Sequence, residues 1–459
     1  MTLRLYNTLT RKLENFVPLR NEVGIYSCGL TVQAPPHLGH LKAAITRDIL
    51  VRWLRHLGYK VKTIENFTDV DDRIIEKQKQ TKEDWRIIAQ RNIDEYFSAC
   101  DSLNILRADY YPKASQHIEE IIDLIQRLLE NGLAYIKGGD VYYRVRKFSG
   151  YGRLSTKSID ELQVGARIEP TESKEDPLDF TLWKAAKPDE PFWLSPWGKG
   201  RPGWHIECSA MSMHYLGESF DIHTGGEDLI FPHHENEIAQ SVGATGKEFV
   251  HYWLHNGLLN LTGEKMSKST GHYFLISDIL KDFAPSVIRL FLLKTQYRSP
   301  SDFSRERLEE AHAAYTRIMT YLERPSTGTD QPIENHLLYD RFAGAMNDDL
   351  NTPEAIGVIF ELVRMGYEHN DLQIGNSIRY YLQILGFSKD QVKTDDVSSR
   401  LIELILELRT RARLDKNYKL SDEIRVKLKD MGIVVDDAKE ASIYRRLESA
   451  YSKDEKEVD

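Results

Sequence analysis

A tetrapeptide near the start of the chain combines residue types that can hold phosphate. Residues 37–40 read HLGH and directly precede an apolar pattern of helical spacing. A helix N-terminus presents unpaired N–H groups and the positive end of the helix dipole, so it favours an anion such as a nucleotide phosphate. Gly39 lets a flat base approach the backbone, while His37 and His40 can donate to phosphate oxygens. The same residues are also compatible with two surface histidines near a helix start.

A second motif places two lysines on a loop rich in glycine and hydroxyl groups. Residues 265–269 read KMSKS and are flanked by Gly263 and Gly271. Lys265 and Lys268 on such a loop can close over a triphosphate and neutralise the charge that builds as pyrophosphate leaves. Taken alone, the segment is slightly more typical of an exposed basic turn. Its occurrence together with the HLGH motif favours phosphate binding.

Thiols, imidazoles and carboxylates at three distant places form a third set. Cys28 ends a predicted strand, Cys208 follows much later, and His233 and Glu237 stand four residues apart on a predicted helix. Residues at this spacing share one helix face. Two thiolates, one imidazole and one carboxylate suit a tetrahedral zinc site. Without a CxxC or HExxH spacing, two core cysteines beside a histidine-rich loop remain the alternative.

Two further segments contain polar groups, but their residue patterns are less specific for a function. Paired glycines, Gly225 and Gly226, allow close backbone approach, and Asp228 after them could accept hydrogen bonds from ribose hydroxyls; a plain turn is the alternative. The acidic cluster at 69–72 is more typical of the first turn of a helix than of catalysis. Cys100 belongs to no motif and is predicted to be structural.

The elements around the first motif predict a parallel sheet. Residues 23–28 are typical of a buried strand, apolar residues then recur at helical spacing up to Gly58, and 60–64 are typical of a second strand. Such a unit begins a sheet with right-handed crossovers, whose ligands bind at the carboxyl ends of the strands. Sheet-like sequence resumes near Gly203, and almost all of the chain beyond about 305 is predicted to be helical.

Composition excludes several classes of protein. The chain has 459 residues, 41% of them hydrophobic, and a net charge of −9. No apolar run approaches the roughly 18 residues that a membrane helix needs, and the first residues do not resemble a signal peptide. Three cysteines in a chain of this length argue against a disulfide framework. We expect a cytoplasmic protein with no membrane contact.

Charge is distributed unevenly toward the C-terminus. Residues 400–429 contain nine lysines and arginines against five acidic residues. This excess is compatible with an ordinary solvated helix face and equally with contact to RNA.

In their order along the chain, the HLGH and KMSKS motifs resemble the two signatures of the class I aminoacyl-tRNA synthetases. The chain is similar throughout to the cysteinyl-tRNA synthetase family. That second resemblance is carried by Cys28-Gly29 and by the segments 66–72, 176–180, 203–208 and 233–237. The C-terminal stretch 409–437 resembles the anticodon-binding domain of the same family.

The resemblance implies a role for each matching residue. The catalytic residues would be His37, His40, Lys265 and Lys268, and ATP would be bound by His37, Gly39, His40, Gly225, Gly226, Asp228 and Lys268. The substrate would contact Thr68, Trp204 and His205, and one Zn²⁺ ion would be held by Cys28, Cys208, His233 and Glu237.

The implied activity is ATP-dependent attachment of L-cysteine to tRNA(Cys) through a cysteinyl-adenylate, by a monomer that uses ATP with Mg²⁺. The implied fold is α/β, with a class I Rossmann-like catalytic domain. The expected parts are its first half (1–110), a connective insertion (111–200), its second half with the KMSKS loop (201–305), a helical bundle (306–395) and a small C-terminal anticodon-binding domain (396–459).

Some residues depart from the family pattern, and two other functions remain open. Leu30, the loop 33–36, Lys42 and Tyr444 differ from the residues common in relatives, although none is a predicted zinc ligand. A cysteine ligase that acylates an amino sugar would keep both motifs but should lack residues 396–459. A non-catalytic RNA-binding protein that contains zinc would have no need of intact HLGH and KMSKS motifs.

Overall fold

The computed structural model describes most of the chain, which folds as two compact units, Met1–Ser388 and Lys389–Asp459. The described residues are 2–158, 174–261, 275–324, 336–369, 372–387, 404–413, 415, 417–430, 433–437 and 442–446. Within them, no helix is long and apolar enough to cross a membrane.

The secondary structure alternates strands and helices in the first two thirds of the chain. The strands are β1 (Arg4–Asn7), β2 (Lys12–Asn15), β3 (Glu22–Thr31), β4 (Lys60–Thr68), β5 (Ala134–Lys137), β6 (Asp140–Tyr143), β7 (Phe180–Ala185), β8 (Trp193–Ser195), β9 (Gly198–Pro202), β10 (Phe220–Gly226), β11 (Val250–Asn256), β12 (Leu259–Leu261), β13 (Ser301–Phe303), β14 (Ile433–Asp437) and β15 (Ser442–Arg446). The helices are α1 (Leu38–His56), α2 (Asp72–Thr81), α3 (Trp85–Ser102), α4 (Ile118–Glu130), α5 (Trp204–Leu216), α6 (Glu235–Thr245), α7 (Ile276–Asp282), α8 (Pro285–Leu293), α9 (Arg305–Leu322), α10 (Tyr339–Asn347), α11 (Thr352–His369), α12 (Leu372–Ile384) and α13 (Tyr418–Asp430).

A four-stranded sheet in the order β11-β10-β3-β4 forms the centre of the first unit. All three strand pairs are parallel, and α1 makes the crossover from β3 to β4. This confirms the predicted strand, helix, strand sequence. Because the strands run the same way, the carboxyl ends of β3 and β10 lie at one edge of the sheet, where the loops of the predicted site begin.

A second sheet is inserted in the chain between β4 and β10. It has five antiparallel strands in the order β5-β6-β7-β9-β8, and Gly138 and Gly139 lie at positive φ in the turn between β5 and β6. The sheet packs with α4 around its own core, which includes Leu128, Tyr143 and Trp183.

Strands β9 and β10 lie on either side of Gly203, in line with the sheet structure predicted near it, but residues 204–216 between them form helix α5, which the sequence pattern does not predict. Its residues from Ile206 to Ser212 are all buried. A helix that is covered on most sides has no polar face, so its sequence lacks the 3.6-residue alternation that identifies an amphipathic helix.

Buried charges hold α1 in place. Asp48 on α1 pairs with Arg289 of α8 and with Arg52, whose Nε lies 2.9 Å from Asp48 Oδ1. The same carboxylate accepts a hydrogen bond from the backbone N–H of Leu106 at 2.8 Å. Since an unpaired buried charge is strongly destabilising, this network fixes the helix whose first turn carries the HLGH motif.

The second unit contains a helical segment at 404–413, helix α13 and an antiparallel hairpin of β14 and β15. Leu406, Leu428 and Val435 form its small core. The hairpin differs from the sequence pattern, which predicts helix for almost all of the chain beyond about 305. The predicted boundaries at 306–395 and 396–459 stay predictions, and the structure divides the chain after Ser388.

The acidic cluster after β4 begins a helix, as predicted. Asp71 is the N-cap of α2, and its carboxylate accepts from the backbone N–H of Ile74 at 2.9 Å. We expect Asp71→Ala to lower the free energy of unfolding by about 1 kcal/mol, whereas Asp71→Asn, which keeps an acceptor, should change it little. Urea denaturation of the three proteins checks this. Equal losses for both variants would show that the carboxylate charge, rather than the cap, provides the stability.

Candidate active site and metal centre

Cys28 reaches the rim of the sheet through an irregularity in β3. The register between β3 and β4 shifts between Ser27 and Leu30. Asn66 on β4 stabilises this turn, because its side-chain oxygen accepts from the backbone N–H of Gly29 at 2.9 Å. A Cβ at residue 29 would overlap the backbone carbonyl of Asn66, so the close approach of the two strands needs glycine here.

The four predicted zinc ligands lie together, although they come from β3, α5, the turn before α6 and α6 itself. The Sγ atoms of Cys28 and Cys208 are 3.6 Å apart, and Cys28 Sγ lies 3.4 Å from Glu237 Oε1. His233 Nε2 lies 3.1 Å from the same carboxylate oxygen, at the predicted spacing of four residues. His233 also forms a side-chain hydrogen bond with Cys208. Each of the four side chains therefore contacts two others.

This donor set fits a tetrahedral zinc ion. Zinc bonds to sulfur, nitrogen and oxygen of usual length require ligand atoms about 3.3 to 3.8 Å apart. The three separations given above, 3.6, 3.4 and 3.1 Å, agree with that range to within about 0.2 Å. Soft thiolates with one imidazole also select zinc over magnesium or calcium, which prefer oxygen ligands.

Three histidines that the sequence did not single out as metal partners surround this set. His223 Nε2 lies 3.0 Å from the second carboxylate oxygen of Glu237. His234 Nε2 lies 3.3 Å from Cys28 Sγ, and its Nδ1 is 2.7 Å from Nε2 of His255. Hydrogen bonds of this kind orient metal ligands. The four side chains whose ligand atoms all lie within 4.8 Å of one another are Cys28, His233, His234 and Glu237, so this group contains His234 and not Cys208.

Electrostatic interactions favour the negatively charged form of two of the four buried donors, Glu237 and Cys208. Burial alone would raise the pKa of Glu237, but His223 and His233 lower it to about 2. Burial also opposes ionisation of Cys208, yet hydrogen bonds from Cys28 and His233 lower its pKa to about 6. Burial together with the neighbouring Cys208 and Glu237 raises the pKa of the Cys28 thiol. A buried thiolate beside a buried carboxylate is an environment in which a divalent cation is stabilised.

The HLGH histidines lie at the start of α1. The rings of His37 and His40 are stacked with centroids 3.5 Å apart, and His40 Nδ1 accepts from the backbone N–H of His37 at 3.1 Å. Burial lowers the pKa of His40 to about 3 and also lowers that of His37. His40 is therefore neutral at physiological pH, with its proton on Nε2, which is free to act as a donor.

The KMSKS motif lies outside the described residues, so the structure does not place Lys265 or Lys268. His37 forms an isolated backbone bridge with Leu275, the first described residue after that gap. The segment that follows the KMSKS motif therefore contacts the first residue of the HLGH motif.

Of the three predicted substrate residues, Trp204 and His205 line one cavity together with Glu207, whereas Thr68 is buried behind that lining. The exposed ring of Trp204 stacks on His233 with centroids 4.4 Å apart, and His205 Nδ1 lies 2.9 Å from His233 Nδ1. The hydroxyl of Thr68 donates to Glu207 at 2.9 Å. Burial raises the pKa of Glu207 and lowers that of His205. Trp204 and His205 are thus adjacent to the candidate metal centre.

Gly225, Gly226 and Asp228 lie at the carboxyl end of β10. Asp228 is exposed and contributes to the electrostatic environment of His37, which places it near the first motif. Gly225 faces the ring of His234, and a Cβ built on it would lie 2.6 Å from Cε1 of that ring. The absence of a side chain at 225 therefore makes room for a buried imidazole of the metal centre.

We expect Gly225→Ala to destabilise the fold by about 1–3 kcal/mol, because the buried His234 ring must shift. Gly357→Ala is the matched control: that glycine is exposed within α11 and a Cβ there would meet nothing within 4 Å. Alanine at 357 should stabilise by about 0.5–1 kcal/mol through helix propensity. Thermal unfolding of both variants measures the two effects, and effects of the same sign would refute the steric explanation.

Comparison with known proteins gives the family of the chain. Residues 15–313 match the family described as tRNA synthetases class I (C) catalytic domain, and residues 341–380 match the DALR domain. The cysteine–tRNA ligase of Aquifex aeolicus is 43% identical over 98% of this chain and 100% of its own length. That of Bacillus licheniformis is 46% identical, with the same coverage of both chains.

Solved structures confirm the predicted fold. The methionyl-tRNA synthetase of Mycobacterium tuberculosis, in complex with methionyl-adenylate, superposes with a TM-score of 0.55 at 14% identity, covering 80% of this chain and 90% of that one. The LeuRS of Agrobacterium radiobacter, in a ternary complex with tRNA and LeuAMS, superposes with a TM-score of 0.57 at 12% identity, covering 81% of this chain and 84% of that one. The match of sequence along the whole chain, together with the fold, shows that this protein belongs to the cysteine–tRNA ligase family of the class I tRNA synthetases.

Proposed function

We propose that this chain uses ATP to attach L-cysteine to tRNA(Cys) in two steps, through a cysteinyl-adenylate. The observation that carries this proposal is the meeting of Cys28, Cys208, His233 and Glu237 beside Trp204, at the rim of the sheet. Relatives of 43–46% identity that bear the name cysteine–tRNA ligase support it. The three cysteines are free thiols, which fits action in the reducing cytoplasm.

We assign one Zn²⁺ ion to the four donors that the sequence singled out. When bound, this ion would supply a soft Lewis acid for which a substrate thiol is a much better ligand than a hydroxyl. This discrimination by the metal is needed because packing alone distinguishes near-isosteric substrate side chains by a free-energy difference of only ~1–3 kcal/mol. The chain's own residues prepare the site: His223 and His233 keep the carboxylate of Glu237 ionised, and His205 and Trp204 pack on His233.

The phosphate end of the reaction is assigned to the HLGH motif. His40 can donate from Nε2 to a phosphate oxygen, while its Nδ1 stays engaged with the backbone of His37. Gly39 leaves the first turn open for the nucleotide, which would enter with Mg²⁺. For Lys265 and Lys268 we propose contact with the departing pyrophosphate, and for Gly226 and Asp228 contact with the nucleotide. Catalysis then rests on positioning and charge stabilisation, and the tRNA hydroxyl is the nucleophile of the second step.

The remaining regions of the chain are assigned to the tRNA. We propose that residues 306–395 form the helical bundle and that 396–459 bind the anticodon, with the basic excess of 400–429 contacting phosphates. The match of 341–380 to the DALR domain and the coverage of the relatives through the C-terminal region support this division.

Cysteine-dependent exchange of pyrophosphate into ATP tests the first step without tRNA. We expect exchange with cysteine and almost none with serine, and transfer of labelled cysteine to tRNA(Cys) in the second step. Exchange without charging would favour a ligase that acylates another acceptor, such as an amino sugar. Absence of exchange in a folded, metal-loaded protein would favour a non-catalytic RNA-binding role.

A further inference from the structure

A second group of metal-binding side chains lies away from the site already described. It joins the N-terminal end of α4 to the last turns of α5 and consists of His117, Glu120 and His214. His117 Nδ1 lies 3.3 Å from Glu120 Oε1, and His214 Nδ1 lies 3.2 Å from the same oxygen. Two imidazole nitrogens thus converge on one carboxylate oxygen.

These separations are those of ligands around a small cation. Metal bonds to imidazole nitrogen and carboxylate oxygen of usual length place the ligand atoms about 3.3 to 3.5 Å apart in a tetrahedral site. The observed 3.3 and 3.2 Å agree with this. The three ligand atoms lie within 4.8 Å of one another, so a single ion could contact all of them.

The polar atoms of the group are incompletely satisfied by the protein. His117 is only 7% exposed, and its buried Nδ1 has no hydrogen-bond partner among the described residues. Glu120 Oε1 is near, but the two atoms are not aligned for a hydrogen bond. A buried ring nitrogen without a partner is costly and calls for a ligand or a water. Its lone pair is the kind of donor that a transition metal takes.

The other nitrogen of His117 is engaged in a way that suits a metal ligand. Nε2 lies 3.4 Å from the hydroxyl of Tyr215. A hydrogen bond at Nε2 fixes the ring orientation and leaves Nδ1 to coordinate, which is the usual arrangement around ligating histidines. The side chain of His214 is 45% exposed, so the group is accessible to ions from solvent and keeps room for water as a further ligand.

We propose that His117, Glu120 and His214 form a second, solvent-facing site for a first-row divalent transition ion such as Zn²⁺ or Ni²⁺. Two nitrogens and one carboxylate oxygen, without sulfur, give it ligands different from those of the thiolate centre. Since α5 also carries Trp204, His205 and Cys208, an ion bound here ties the far end of that helix to α4. An ion that binds the folded state and not the unfolded chain stabilises the fold.

Equilibrium dialysis of the full chain against Zn²⁺ or Co²⁺, followed by metal analysis, tests the proposal. We expect about two equivalents on the wild type and about one on His214→Ala or Glu120→Gln. Affinity of the second equivalent should fall at least about tenfold in either variant. His369→Ala is the control, because that histidine is exposed and lies outside the group; it should keep both equivalents.

The absorption spectrum of the protein loaded with Co²⁺ distinguishes the two sites. The ion at the thiolate centre shows sulfur-to-metal charge transfer, and the second equivalent should add only weak ligand-field bands. Cys208→Ser should abolish the charge transfer and leave the second equivalent in place, so failure of one assignment is visible independently of the other. Circular dichroism confirms that each variant is folded. A single equivalent on the wild type, or a second one that survives both His214→Ala and Glu120→Gln, would overturn the proposal.

Discussion

Replacing Cys208 with serine is expected to remove the bound metal and to lower cysteine-dependent pyrophosphate exchange at least about 100-fold. Serine has nearly the same volume, so packing is preserved, but its hydroxyl does not ionise near neutral pH as a thiol of pKa about 6 does. The loss should therefore arise from the missing thiolate. The preference for cysteine over serine should fall toward the ~1–3 kcal/mol that packing provides.

The chain offers a matched control for this substitution. Cys100 on α3 is as buried as Cys208, and its pKa is raised to about 12, chiefly by burial, so it is a neutral core thiol. Cys100→Ser makes the same chemical change away from the metal donors. We expect that variant to lose some stability and to keep its zinc and its selectivity. Full metal content and normal selectivity in Cys208→Ser would contradict the role proposed for Cys208.

Replacing His40 with asparagine is expected to lower the rate of adenylate formation about 10²–10³-fold, which corresponds to about 2.7–4 kcal/mol of transition-state stabilisation. Asparagine can still accept the hydrogen bond that His40 Nδ1 takes from the backbone of His37. It lacks the Nε2 donor that is assigned to the phosphate. Because the interaction is assigned to the transition state, kcat should fall while the KM for cysteine changes little.

His56→Asn controls for the loss of a histidine from the same helix. His56 lies in the last turn of α1, and its Nε2 is 2.8 Å from the hydroxyl of Tyr339. That change should cost about 0.5–1.5 kcal/mol of stability and leave exchange unchanged. Single-turnover measurement of adenylate formation compares the two variants. If kcat in His40→Asn stays near the wild-type value, the imidazole does not act on the phosphates.

The metal donors could be predicted only with the help of the family resemblance. Spacing within one helix relates His233 to Glu237, and the structure confirms their contact. The approach of Cys28 to Cys208, which are 180 residues apart, depends on strands and helices that meet at one sheet edge. His223 and His255 lie on the neighbouring parallel strands β10 and β11. They come close to Glu237 and His234 only after the sheet has formed.

The two missed elements have local physical reasons. Helix α5 is buried on most sides, and its sequence therefore lacks the alternation from which a helix is predicted. The C-terminal hairpin starts with Ile433, Val434 and Val435, whose β-branched side chains do favour a strand. The charged helical pattern around them obscured that signal. By contrast, the unit around the HLGH motif has clear breaks at its ends and was predicted correctly.

We propose that an ion held by Cys28, Cys208, His233 and Glu237 recognises the sulfur of the substrate. X-ray absorption at the zinc edge, recorded on the zinc-loaded chain with and without cysteine, tests it most directly. We expect about two sulfur neighbours of zinc in the free protein, about three with cysteine, and no increase with serine. A sulfur count that stays the same when cysteine binds would contradict the claim.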